Sequence, residues 1–288
     1  MKLWNKQLEA DFFNESVNAA TLEQVYYITN TGQYLAYWPK RYKGKKSTLQ
    51  SRNTLVGSFT EKWTTGLVQE IVSELGLHAV RGAVCNEIAL TNRSPADVLI
   101  SKSKGKNQRP DDILAIIEVK MSIVWNWKLQ KDGNLICIGD YRTHQGNPGL
   151  LRSDSMLKAI GKCINIRVSN FAASRIPIIV MGNTPITESY FSKVDKLKTA
   201  GIVQGFWSVN PEPLDNNGDS IKKTTKHGFY RFDDFEELKG AFHQLLSEER
   251  NFFSSMRSKK ELGRIIKTAD VKNTYEEKAE LFLELIRE

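Results

Sequence analysis

The sequence predicts an α/β fold in which a mixed central β-sheet is flanked by helices, with helical extensions at the N- and C-terminal ends. Three observations carry this expectation. Apolar residues between Ser58 and Leu75 recur at helical spacing. The unbroken run Ile113-Leu114-Ala115-Ile116-Ile117 suits a strand buried on both faces. Helix and strand patterns then alternate to Val209, as in a sheet covered on both sides.

In chain order, the first fifty residues read as a short helical segment followed by a basic, aromatic loop region. Phe59, Trp63, Leu67, Val68, Ile71, Val72 and Leu75 then form one helix face, and Gly76 supplies a stop. Strands are expected over Ala79 to Leu90, Ala96 to Lys102 and Ile113 to Met121. After a polar loop region, Asp154 to Val168 reads as a helix, Ile176 to Met181 as a strand, Glu188 to Ala200 as a helix and Ile202 to Val209 as a strand. Pro211, Pro213, Asn216, Asn217 and Gly218 mark a linker or long loop, and the remainder is charged and mostly helical. The expected organisation is an N-terminal helical and basic extension over 1–56, a core over 57–210, and a loop with a C-terminal helical region over 211–288 suited to dimerisation or nucleic-acid contact.

At 288 residues the chain can bury a substantial core. Its formal charge of +8 favours polyanionic partners through counterion release, although many housekeeping proteins are equally basic. No apolar run approaches the ~20 residues of a membrane span. The opening Met1-Lys2-Leu3-Trp4-Asn5 lacks the apolar stretch of a signal peptide, so no membrane partner and a cytoplasmic location are expected. The 3 cysteines are too scattered for a disulfide framework, and the 4 histidines show no zinc-ligand spacing.

Glu-x-Lys occurs at Glu118-Val119-Lys120, Glu237-Leu238-Lys239 and Glu276-Glu277-Lys278. The latter pair lie in helical patterns, where positions i and i+2 diverge. The first closes a strongly apolar strand, so Glu118 and Lys120 emerge on one face. A hairpin centred on the 103–112 turn sets Asp97 opposite Glu118, with Cβ atoms about 4.5–5.5 Å apart. Carboxylates at that distance require a cation, and a divalent metal with oxygen ligands is the natural one. A slip of one residue would turn Asp97 away. Asp112 lies roughly 20 Å from Glu118 along the same strand and reads as a loop boundary.

Pro95-Ala96-Asp97, a hairpin, and Glu118-Val119-Lys120 after an apolar strand together resemble the PD-(D/E)XK nuclease superfamily, over about Gly57 to Val209. The proline stands one residue further from the aspartate than in the tightest form of that motif. The resemblance implies a restriction-endonuclease-like core, with Asp97, Glu118 and Lys120 catalytic and Mg2+ (or Mn2+ in its place) on Asp97, Glu118 and the Val119 carbonyl. Gly57-Ser58-Phe59-Thr60-Glu61 matches the Gly-x-x-x-Glu context in which the family's preceding helix offers a further acidic ligand, so Glu61 is expected to hold a second metal or a metal-bound water. Glu70 and Glu74 stay open as alternatives to it.

Candidate DNA contacts are Lys40, Arg41 and Lys43 in the basic aromatic stretch, Arg142, His144, Gln145 and Asn147 past the active strand, and Arg152 and Ser153 at a helix start. Within that superfamily, length and the absence of an attached ATPase motif favour a site-specific type II restriction endonuclease acting on double-stranded DNA as a homodimer, and the resemblance implies 5′-phosphate and 3′-hydroxyl ends. A cognate DNA methyltransferase is then expected in the same cell, not necessarily in contact. The alternatives are a structure-specific or repair nuclease and a non-catalytic DNA-binding protein with a nuclease-like fold.

Overall fold

Asn5 opens helix α1 (Lys6–Ala19) by accepting the Leu8 amide on its side chain, and Thr21 with Gln24 forms a capping box for the single turn α2 (Leu22–Val25). In this computed structural model, which describes residues 2–46, 49–216 and 220–287, short strands β1 (Tyr27–Ile28) and β2 (Tyr34–Leu35) follow. The expected loop breakers Asn217 and Gly218 lie outside the described residues. Helix α3 (Gln50–Val72) begins well ahead of Ser58, because Arg52 and Val56 add a buried turn before the apolar stripe becomes regular.

Strands β3 (His78–Ala83), β4 (Ala96–Ser101) and β5 (Ile113–Lys120) form an antiparallel meander. The first was expected to run to Leu90. Instead, a 3₁₀ turn over Asn86–Ile88 folds the chain so that Cys85 bridges Leu90. Beyond β5 the polar loop region contains a hairpin, β6 (Asn126–Leu129) and β7 (Leu135–Gly139). Helix α4 (Ser153–Ser169), strand β8 (Ile178–Gly182), helix α5 (Glu188–Thr199) and strand β9 (Gly205–Ser208) then follow the expected order. Strand β10 (Phe229–Arg231) and helix α6 (Phe235–Leu246) complete this part of the chain.

Among the described residues the strands build a six-stranded sheet, β10-β9-β8-β5-β4-β3, and a four-stranded sheet, β1-β2-β6-β7. The larger sheet is mixed: β5, β8, β9 and β10 run parallel, and β4 and β3 are antiparallel to their neighbours. It is covered on both sides. One face packs Val98, Ile100, Ala115 and Ile117 against Leu67, Val68 and Ile71 of α3. The other packs Leu99, Ile116, Ile178 and Val180 against Met156, Ala159, Cys163 and Ile166 of α4.

The first 56 residues are not an appended extension. They supply half of the smaller sheet, and Trp4, Phe12, Phe13 and Tyr26 share the core of α3. Helix α6 likewise buries Leu238, Phe242 and Leu245 in that core. The chain therefore divides after Glu249, not at 210, into units Met1–Glu249 and Arg250–Glu288. The second unit is a helical pair, α7 (Lys259–Ala269) and α8 (Tyr275–Arg287), with Phe253 edge-on to Phe282. No helix among the described residues is long and apolar enough to cross a membrane.

Glu9 ties the smaller sheet to the segment that leaves β5. Its carboxylate is fully buried and accepts hydrogen bonds from the Val124 and Trp125 amides (2.6 and 3.1 Å) and from the Trp127 and Trp4 indoles (2.9 and 3.1 Å). Burial pushes its carboxyl up to about 7, and the N–H donors oppose that rise. The folded protein therefore keeps the Glu9 proton between about 4.5 and about 7, where the unfolded chain has released it, and stability from this group falls as pH rises through that window. Glu9→Gln should abolish this part of the pH dependence. At pH 8 it should also cost ~1–3 kcal/mol in urea denaturation, because an amide NH2 then faces N–H donors.

Candidate active site

Strand alternation assigns each residue to a face of the sheet. Asp97 has the parity of Leu99, and Glu118 and Lys120 have that of Ile116, so these three stand on the α4 side. The ladder pairs Val98 with Ile117 and Leu99 with Ile116, and one further step sets Asp97 opposite Glu118. A bulge at Ile100/Ser101 changes the register only toward the loop, leaving the site end as a centred hairpin places it. Past the paired stretch the Val119 amide donates to Asp97 Oδ2 at 2.7 Å. Because a strand residue directs its N–H and C=O to the same neighbour, the Val119 carbonyl also faces the Asp97 side.

Lys120 Nζ lies 2.5 Å from Glu118 Oε1 and 3.8 Å from Asp97 Oδ2, and it donates to the Val119 carbonyl at 3.1 Å. A second cation comes from α4. Lys162 Nζ lies 2.6 Å from Glu118 Oε2 and 3.3 Å from Asp97 Oδ1, and it donates to the Pro95 carbonyl at 2.9 Å. Lys162 escaped the sequence reading, yet a signal exists. It stands three residues after Ala159 and four before Ile166, both buried, so a lysine inside that apolar stripe needs an anionic partner.

Glu118 is 4% exposed. Burial, and then the Asp97 charge, hold its carboxyl above the usual carboxylate range, against the pull of the lysines. Burial works against the charge of Lys162, but Glu118 and Asp97 outweigh it and raise the ammonium above its ordinary pKa. Glu118 Oε2 accepts no well-directed hydrogen bond; the nearby Lys162 charge compensates it instead. A buried carboxylate oxygen so disposed is open to a cation. With Asp97 and the Val119 carbonyl it makes an all-oxygen donor set, which suits Mg2+ or Mn2+.

Glu61 does not join this set. It projects from α3, on the opposite side of the sheet, and pairs with Arg81 Nε at 3.1 Å, with Ser58 on the same guanidinium. Its place near the apolar face is explained by that partner on β3. Glu74 is held by Lys239 and His243 of α6, at 2.7 and 2.9 Å, and Glu70 is exposed. Among the described residues no three His, Cys, Asp or Glu side chains gather where one ion could be held.

Beside Lys120 opens a cleft of about 810 Å³, between the first turns of α3 and the N-terminus of α4. Gln145, Asn147, Arg152 and Ser153 line it, with Lys158 and Arg52. Gly149 lets the α4 entrance approach: at φ +53, a Cβ there would stand 3.2 Å from the Lys120 carbonyl and 2.9 Å from Thr184 Oγ1. Lys40, Arg41 and Lys43 are exposed outside the residues that line the cleft.

Three expected DNA contacts have other work. His144 is 2% exposed, stacked on Tyr37 at 3.8 Å, with its ring nitrogens near the Val124 and Gln145 carbonyls. Burial lowers its pKa, which disfavours a cationic ring. Arg142 grips buried Asp140 through Nε and Nη2, although its side chain is 49% exposed. Gln145 lines the cleft but spends its amide on the Pro39 and Lys40 carbonyls. Arg52 also serves the frame: it is buried, donates to the Ala36 carbonyl and lies over the Tyr27 and Tyr37 rings.

No family model, curated protein or solved structure matches the chain at a significant level. The Glu61–Arg81 pair is half-exposed, so Glu61→Ala should lower stability by less than ~1 kcal/mol in urea denaturation. A larger loss would show that Glu61 holds more than this pair.

Proposed function

We propose that this protein is a Mg2+-dependent endodeoxyribonuclease with a restriction-endonuclease-like core, cutting double-stranded DNA at a specific site as type II restriction endonucleases do. The observation that carries the reading is the convergence of Asp97, Glu118 and Lys120 on one sheet face, next to a cleft lined by Arg152 and Lys158. The PD-(D/E)XK spelling, the mixed sheet and the register agree with it.

Asp97, Glu118 and the Val119 carbonyl would hold the ion. When bound, Mg2+ or Mn2+ supplies Lewis acidity, polarising a phosphate oxygen and lowering the pKa of water. Lys120 orients the attacking water with its ammonium and offsets negative charge on the phosphate under attack. Arg152, Lys158 and the exposed amides at the start of α4 seat neighbouring phosphates, and Asn147 reaches toward base edges. Hydrolysis leaves 5′-phosphate and 3′-hydroxyl ends. A homodimer suits this reading, since its two-fold axis matches a palindromic site. The host's DNA then needs a cognate methyltransferase in the same cytoplasm.

Digestion of plasmid and phage DNA with Mg2+ tests the proposal. Discrete bands are expected, whereas junction-only cutting would indicate a structure-specific nuclease. Tight binding with no nicking would indicate a non-catalytic DNA-binding protein. Glu118→Ala and Lys120→Ala should each slow cleavage by at least ~10²-fold, and unchanged rates in either would overturn the assignment. Arg152→Ala should weaken DNA binding across sequences. It should also lower the slope of log K against log[salt] by ~0.9, measured by fluorescence anisotropy.

A further inference from the structure

We propose that Lys162 holds the cation position between Asp97 and Glu118 and yields it when a divalent ion binds, so that this lysine sets the metal affinity of the site. The inference rests on the nuclease reading for the identity of the ion, and on three observations of its own.

First, Lys162 Nζ contacts one oxygen from each carboxylate, Asp97 Oδ1 and Glu118 Oε2, as a bridging ion would. Second, its remaining contact is the Pro95 carbonyl, so the hydrogens of the ammonium are directed into this one cluster. Third, Glu118 Oε2 is buried and Lys162 Nζ lies 2.6 Å from it, so a divalent ion reaching that oxygen displaces the ammonium.

Lys120 also reaches both carboxylates, through Glu118 Oε1 and Asp97 Oδ2 (2.5 and 3.8 Å), and donates to the Val119 carbonyl, but it borders the cleft and stands farther from Asp97 than Lys162 does at 3.3 Å. An ammonium and a divalent ion cannot both occupy the space between two opposed carboxylates, so the binding of one excludes the other. Lys162 withdraws with its alkyl stem still anchored on α4, the helix whose N-terminal turn lines the cleft.

The test measures Mn2+ binding to the full-length protein by electron paramagnetic resonance, without DNA, for wild type, Lys162→Met, Lys162→Arg and Glu118→Gln. Thermal melts check that each variant is folded. Lys162→Met should bind Mn2+ roughly tenfold more tightly than wild type or better, and Lys162→Arg, which keeps the charge, should stay near wild type. Should Lys162→Met fail to fold, acylation of wild type with acetic anhydride, read by mass spectrometry, decides the matter. Saturating Mn2+ should raise Lys162 labelling severalfold.

Equal or weaker Mn2+ binding by folded Lys162→Met overturns the inference, as does Lys162 labelling that ignores Mn2+. In either case wild-type binding above the Glu118→Gln background leaves the nuclease reading standing. If neither wild type nor Lys162→Met exceeds that background, both fall together.

Discussion

Glu118 is a nearly inaccessible carboxylate on an inner strand of the sheet, facing a second carboxylate across the ladder, and the site is organised around neutralising the two. An unpaired buried charge of this kind is too costly to persist. Lys120 answers it from the same strand and Lys162 from the helix packed over that face. The requirement reaches into the fold. Helix α4 must lie close enough to deliver Lys162, and the positive-φ Gly149 lets its entrance settle against the Lys120 carbonyl.

Glu9 solves the same physical problem in another way. Its oxygens are met by backbone and indole N–H groups, with no lysine or arginine among them. Those donors are parts of the frame, so the Glu9 carboxyl is fixed in place and binds the 124–127 segment to α1. At Glu118 the compensating groups are ammoniums on flexible stems, which can move aside. One carboxyl is met by donors of the frame, and the other by ammoniums on long side chains from β5 and α4.

Much of the larger sheet was legible because its strands are continuous apolar runs and its helices carry regular stripes. The β4–β5 register could be read from the turn length, since a centred hairpin and a buried face leave no alternative parity. The smaller sheet was not legible. Strands as short as Tyr34–Leu35 and Asn126–Leu129 show almost no period, and their pairing joins segments about ninety residues apart. For the same reason the N-terminal residues read as an appendage: the cluster that receives Trp4, Phe12 and Phe13 is assembled from distant stretches.

The sequence by itself determined which face of β4 and β5 carries Asp97, Glu118 and Lys120, because residue parity along a strand is a local property. Tertiary structure alone decided what meets that face. It turned Glu61 to Arg81 on the far side of the sheet, stacked His144 on Tyr37, and brought Lys162 between the two carboxylates. Those outcomes depend on how α3, α4 and the 141–149 loop pack, and packing between distant segments leaves no periodic trace in the chain.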